Sequence, residues 1–386
     1  MRNVLDSIRA ALSGLRDRFV ALSGRNKGIV AGASVVVLVV IGVGAAAVFG
    51  GGGETTPTTL AAVTTTTPTT TTTLPATTTT TTTTIAGLAS PLNGLAADDP
   101  ALLERRALAV KIDNHPNARP QSGIAQADLV YELLVEGGLS RFIAIFHDND
   151  SEYLGPIRSG RPTDPTLIRP TGAVMVFSGA QPWIEQIIVN TGVRLIGEGE
   201  GTFRIQGRSA PHNLYGDTLA LRAVADARGY GDDPPPAILE IGEYEGQEPA
   251  AQVATTWDAG NRVLWLWNGS EYQRFTNELP HNEIDIDGNE TQIATDVLVV
   301  LEAVQYTARP PGDGTPVPAL ETVGEGVAYV FANGMVQEGS WSRADNADPF
   351  TLRAADGGAM TVPAGRPWIA IFPNSQPVSW LAEATS

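Results

Sequence analysis

The chain has 386 residues, no cysteine and a formal net charge of −17. Such acidity disfavours nucleic acid as a partner, because phosphate charge would be repelled. The lack of cysteine excludes a disulfide framework, a thiolate metal site and an acylated lipobox cysteine.

Charge is unevenly spread along the chain. Arg2, Arg9, Arg16, Arg18, Arg25 and Lys27 stand against only Asp6 and Asp17 in the first fifty residues, a net +4, so everything beyond carries −21. Within segment 1–28, Leu5, Ile8, Leu12, Leu15, Phe19 and Leu22 recur at three- and four-residue steps. That spacing predicts a cytoplasmic amphipathic helix, lying on the inner leaflet or pairing as a short coiled coil. Residues 29–49 are uncharged, long enough to cross a bilayer as a helix, so segment 29–50 is expected to be a transmembrane anchor. Basic residues just before it predict an N-terminus inside and an extracytoplasmic body. A signal peptide cleaved near Ala45-Ala46-Ala47 is the rival, but the apolar run exceeds the usual signal core of about 7–15 residues. Segment 51–90 is dominated by threonine and broken by Pro57, Pro68 and Pro75. It offers little to bury and reads as a disordered stalk, ~80–100 Å long if extended at about 3.1 Å per residue. Thr–Pro tracts also suit O-glycosylation.

Segment 91–236 reads as a mixed α/β domain. Strands are predicted over 107–112, 129–135, 141–146 and 173–177, with Glu136-Gly137-Gly138 turning the second into the third. Helices are predicted over 163–168, 182–190 (proline in the first turn) and 219–228, the last ended by Gly229. Asp232-Asp233-Pro234-Pro235-Pro236 reads as a linker. Segment 237–386 is predicted to be β-rich: 262–267 and 272–275 flank the Asn268-Gly269 hairpin signal, followed by strands over 283–286, 297–304, 326–331, 350–353 and 367–372. The expected fold class is α+β, with the second domain a small barrel or sandwich.

Two loops concentrate chemistry. The first strand runs into Asp113-Asn114-His115, followed by Arg119, and a second loop carries Arg158-Ser159-Gly160-Arg161. Asp113 and Asn114 fall where α/β sheets place ligands; they serve either as polar anchors or as an Asx-turn into Pro116. Arg119, Arg158 and Arg161 suit a phosphate or carboxylate. Arg141 is expected to pair with Glu132 or Glu136 across its hairpin. Ser159 with His212 and a carboxylate invites a hydrolase triad, yet no nucleophile elbow surrounds it. His212-Asn213 is either a polar loop beside the site or a solvated one. Lys111, the one lysine beyond residue 27, is expected to pair with an acid. The four histidines show no ligand spacing, and Asp285-Ile286-Asp287-Gly288-Asn289 reads as a turn, so no metal or cofactor is predicted. Trp257, Trp265, Trp267 and Trp341 are expected in the core rather than on a sugar-binding surface.

The chain resembles the YerB-type bacterial envelope lipoproteins. The resemblance rests on Leu108-Ala109-Val110-Lys111-Ile112-Asp113-Asn114-His115, Ala118-Arg119-Pro120-Gln121-Ser122-Gly123, Val135-Glu136-Gly137-Gly138, Gly155-Pro156-Ile157-Arg158-Ser159-Gly160-Arg161-Pro162 and Pro211-His212-Asn213-Leu214-Tyr215. In the second half it rests on Gly339-Ser340-Trp341-Ser342-Arg343 and Pro363-Ala364-Gly365-Arg366-Pro367-Trp368-Ile369. It implies an α/β domain followed by a β-rich one, held outside the cytoplasmic membrane, and no particular activity. The departure is a transmembrane segment and threonine stalk in place of an acylated cysteine. Taken together, the sequence predicts a membrane-anchored envelope protein binding an anionic cell-wall or lipid-linked ligand through Asp113, Asn114, Arg119, Arg158, Ser159, Arg161, His212 and Asn213. The alternatives are a transferase or hydrolase acting on a cell-wall polymer, with Asp113 or His212 as general base, and an adaptor for an envelope protein partner.

Overall fold

β1 (Leu108–Ile112) is buried at every position, and a strand buried on both faces needs a neighbour on each side. It pairs antiparallel with β3 (Ser140–Phe146) and parallel with β4 (Val174–Val176). β2 (Leu129–Leu134) runs antiparallel to β3, and the Glu136–Gly138 turn between them uses Gly137 at φ 70° and Gly138 at φ 69°, a left-handed conformation that favours glycine. β5 (Leu195–Ile196) closes this end of the sheet. The predicted helices form as Asp164–Ile168, Pro182–Asn190 and Thr218–Ala227. Pro182 occupies the first turn of its helix, and Ile184 and Ile188, one turn apart, are buried.

The structure, a computed structural model, describes residues 89–384. The predicted cytoplasmic segment, the membrane span and nearly all of the stalk lie outside the described residues. No helix among the described residues is long and apolar enough to cross a membrane.

The β-rich half does not keep its strands to itself. Val297–Ala303, Gly324–Ala332, Met335–Arg343, Thr351–Ala354 and Pro367–Pro373 continue the same large sheet of 11 strands. The junction is Pro367–Pro373, which runs parallel to Val297–Ala303 on one side and to β2 on the other. All seven of its residues are buried, so neither edge is left open to unsatisfied pairing. A second sheet holds Gln252–Asp258, Asn261–Trp267, Tyr272–Thr276, Leu279–Pro280 and Val378–Leu381, with Ala294–Thr295 beside Tyr272–Thr276. Its alternating buried positions, including Val253 and Trp257, mark one inward face. Trp257 meets Phe372 edge-on at 5.0 Å and Trp265 meets Trp368 at 5.2 Å, so that face packs on the junction strand. Trp257, Trp265 and Trp341 are buried. The strand predicted over 283–286 ends at Ile284, where Asp285 turns the chain by accepting the Asn289 amide at 2.8 Å.

Candidate functional site

β1 delivers Asp113 at its carboxyl end, and two other segments lie alongside. Asp113 N donates to Pro156 O (2.9 Å), Arg158 N to Lys111 O (2.8 Å) and Ile157 N to Leu214 O (2.6 Å). Glycine at 155 permits this approach, since a Cβ there would lie 2.8 Å from Leu214 O. Backbone pairing thus brings the Arg158 loop and the His212 segment to the end of β1.

Asp113 is the hub of the result and is only 1% exposed. Its Oδ2 receives His212 Nδ1 at 2.7 Å and faces Arg158 Nε at 3.2 Å. The Arg158 contact is an ion pair by distance but not a directed hydrogen bond, which leaves that buried Nε without a true acceptor. Oδ1 accepts the His115 amide at 3.1 Å, with Arg141 Nε at 4.0 Å. The Asx-turn reading of Asp113 is therefore met by Oδ1, while Oδ2 holds protein side chains. His115 stacks on His212 with ring centres 4.7 Å apart. Because His115 Nδ1 accepts the Asn117 amide, its neutral form carries the proton on Nε2. Burial and the neighbouring His212 depress the His115 pKa, outweighing the pull of Asp113.

Three arginines complete the surroundings. Arg141 and Arg161 both donate through Nη1 to Ser159 Oγ, at 3.2 and 3.1 Å. Arg161 Nε binds Glu136 Oε2 at 2.7 Å. Burial works to raise the Glu136 pKa, but the hydrogen bond and charge of Arg161 outweigh it and hold the group below the ordinary range. Burial, then crowding by Arg161 and Arg158, brings Arg141 down to about 10. Asp113, His115, Glu136, Arg141, Arg158 and Arg161 line a cleft of ≈ 240 Å³ together with Ser140, Val135 and Leu139. Three guanidinium groups there face two carboxylates, a local excess of positive charge. Beneath lies Lys111, its Nζ 2.7 Å from Asp164 Oδ1 with both side chains fully buried. Asp164 Oδ2 also accepts the Arg161 amide at 2.8 Å. Burial outweighs the attraction of Asp164 and lowers Lys111 to about 8.

Not every predicted residue reaches this cleft. Asn114 is fully buried, donating to Ser140 Oγ and accepting from Arg119 Nε and Gln121 Nε2. Its amide is used up in holding the loop. Arg119 lines a separate cavity of ≈ 270 Å³ with His281. Asn213 turns toward Arg204 and the Ile205 carbonyl. Ser159 has two arginines on its hydroxyl and His212 has Asp113, so the suggested Ser–His pairing does not form. Among the described residues no group of three His, Asp or Glu is placed to hold a metal ion.

Arg141 does not pair with Glu132. The register sets Arg141 opposite Leu133 and Glu132 opposite Phe142, so the two side chains leave opposite faces of the hairpin. Glu132 is instead held by Arg274 of the second sheet, Nη1 to Oε2 at 2.9 Å and Nη2 to Oε1 at 2.8 Å. Ser140 Oγ (2.5 Å) and Trp368 Nε1 (2.9 Å) complete its shell. Arg274 Nε donates to His281 Nδ1 at 3.0 Å, and His281 Nε2 meets Gln121 Oε1 at 3.0 Å. Burial and then the Arg274 and Arg119 charges hold the His281 pKa well below its ordinary value, so it stays neutral with Nε2 as donor. The sequence signal for this network was the alternation in 272–276, which puts Arg274 on the buried face with Tyr272 and Thr276.

Two family models cover most of the described chain: the N-terminal domain of the DUF3048 "Protein of unknown function" over residues 92–231, and its C-terminal domain over residues 253–369. A curated relative, "Putative lipoprotein YerB" of Bacillus subtilis (strain 168), is 27% identical over 295 residues, which span 74% of this chain and 87% of the relative. The crystal structure of YerB protein from Bacillus subtilis matches with a TM-score of 0.65 at 26% identity, over 76% of this chain and 99% of that one. The shared fold, the two matched domains and a likeness over about three-quarters of the chain agree: the chain belongs to the two-domain YerB-like family.

Proposed function

We propose that this chain is a single-pass protein of the bacterial cytoplasmic membrane, anchored by residues 29–49 with its N-terminus inside. Its folded body would stand off the outer surface on the 51–90 stalk and hold an anionic group, phosphate or carboxylate, of a cell-wall ligand. The relative's name as a lipoprotein supports envelope attachment. This chain has no cysteine to acylate and carries an uncharged 29–49 segment instead.

One observation carries the binding reading: Arg141, Arg158 and Arg161 meet at one cleft whose lining carboxylates, among the described residues, are Asp113 and Glu136, in a chain of net charge −17. Holding like charges together in a partly buried cleft is unfavourable unless an anion joins them. Arg158 is the arginine most open to a ligand: its side chain is 24% exposed, against 9% for Arg141 and 12% for Arg161. Isothermal titration of the full chain in detergent micelles, with inorganic phosphate and then with lipid-linked wall precursors, tests this. Arg158→Ala should weaken binding about 10–100-fold, the worth of a charge-assisted hydrogen bond; unchanged affinity overturns the reading.

A further inference from the structure

We propose that a second cavity, sharing no lining residue with the arginine cleft, binds an organic cation: a primary ammonium on an apolar stem, as in a lysine side chain. Its volume of ≈ 400 Å³ is of the size that small ligands occupy. It opens where residues 151–153, the first turn of the Thr218–Ala227 helix and the turn after Ile284 meet. Asp150, Glu152, Asp217, Glu283 and Asp285 line it, and among the described residues no lysine, arginine or histidine does. Three of these carboxylates are engaged elsewhere. Asp150 pairs with Arg105 at 2.9 Å and Arg222 at 3.1 Å, Asp217 caps the helix by accepting the Leu219 amide, and Asp285 holds its own turn.

The ligand signal comes from two buried side chains left short of partners. Glu283 is 5% exposed. Its Oε2 accepts the Ile124 and Ala125 amides at 2.7 and 3.1 Å, while Oε1 has no partner among the described residues. Burial raises the Glu283 pKa against the pull of those amides and of Arg366, and Arg366 is itself paired with Asp296 at 3.7 Å. Ser151 is 8% exposed, and its Oγ also lacks a partner among the described residues. A buried carboxylate oxygen without a donor is unfavourable; an ammonium supplies both the charge and the donors, with Ser151 Oγ as a further acceptor. A neutral hydroxyl could donate to Oε1 but leaves the charge uncompensated. The stem is set by the apolar part of the lining. Leu219 and Ile286 are 60% and 59% exposed, and Tyr153 is fixed by its stack on Tyr215 with ring centres 4.6 Å apart. Singly such residues mean little, but three beside a stranded carboxylate match an aliphatic chain that ends in positive charge.

The test is isothermal titration of the full chain in detergent micelles with Nα-acetyl-lysine amide and with its uncharged Nε-acetylated counterpart. The charged probe should bind saturably and at least ~10-fold more tightly than the uncharged one. Glu283→Gln keeps an oxygen for the Ile124 and Ala125 amides and should weaken the charged probe at least ~10-fold. Leu219→Ser, at an exposed helix position, should weaken it about three- to tenfold through lost apolar contact. Inorganic phosphate, titrated in parallel, should bind both variants as it binds wild type. If Glu283→Gln changes phosphate binding too, its fold is damaged and Leu219→Ser decides alone. Binding that is absent, that does not prefer the charged probe, or that survives either substitution unchanged overturns the cation site.

Discussion

Replacing Arg274 with methionine probes the contact that ties the two halves together. Arg274 is 0% exposed and its partner Glu132 is 1% exposed. The substitution removes two of the four hydrogen bonds to the carboxylate, leaving Ser140 and Trp368. Stranding one member of a buried ion pair costs about 3–5 kcal/mol. The guanidinium also lies over the rings of Phe142, Trp265 and Trp368 at 5.3, 5.1 and 5.1 Å. Losing those contacts adds about 1 kcal/mol, for a total near ~4–6 kcal/mol. The double variant Glu132→Gln, Arg274→Met leaves no charge to strand and should recover to within about 2 kcal/mol of wild type. Urea unfolding followed by tryptophan fluorescence reads this directly, because Trp265 and Trp368 surround the guanidinium. The reasoning is refuted if Arg274→Met costs less than about 1 kcal/mol, or if the double variant is less stable than the single one.

Other consequences follow from the same structure. Lys111→Met should destabilise by about 3–5 kcal/mol in denaturant titrations, because Asp164 is left charged and buried, and adding Asp164→Asn should restore most of the loss. Asp128 is raised to about 6 by burial and then by Asp148, despite its hydrogen bonds to His147 and Asn149. Between about pH 4 and 6 the folded chain therefore holds a proton that the unfolded chain has released. Its contribution to stability should fall by about 2–3 kcal/mol as pH rises through that window, a trend that unfolding midpoints will show and that Asp128→Asn should flatten. For Lys111, lowered to about 8, the sign is the reverse. The unfolded chain binds the extra proton between about pH 8 and 10.5, so this group's contribution rises with pH there.

Local pattern carried much of the fold into view. The buried run ending at Asp113, the glycine turn at 136–138 and the Pro182 helix start are each set by residues within a few positions of one another. Partner choice is a different matter. The apolar content of 367–373 shows that the strand is buried on both sides, yet nothing in it names β2 as one of its neighbours. Arg141 shows the same limit at shorter range, since a hairpin turn fixes strand direction while the register decides which face each side chain takes. The candidate site was half legible. Asp113, Arg158 and Arg161 stand on stiff loops after apolar strands, and those loops do meet. His212 lies 99 residues beyond Asp113, and only the backbone bonds around Gly155 and Leu214 bring it there. Asn114, Arg119 and Asn213 look equally polar in sequence, but their hydrogen-bonding groups are engaged in holding neighbouring backbone and side chains.

The claim that this cleft receives an anion is tested most directly by calorimetric titration of inorganic phosphate into the full chain and into the Arg158→Ala, Arg161→Ala variant. The account predicts saturable binding to the wild type that weakens at least about tenfold in the variant and fades with rising salt. Equal binding by the two proteins, or none by the wild type, would contradict it.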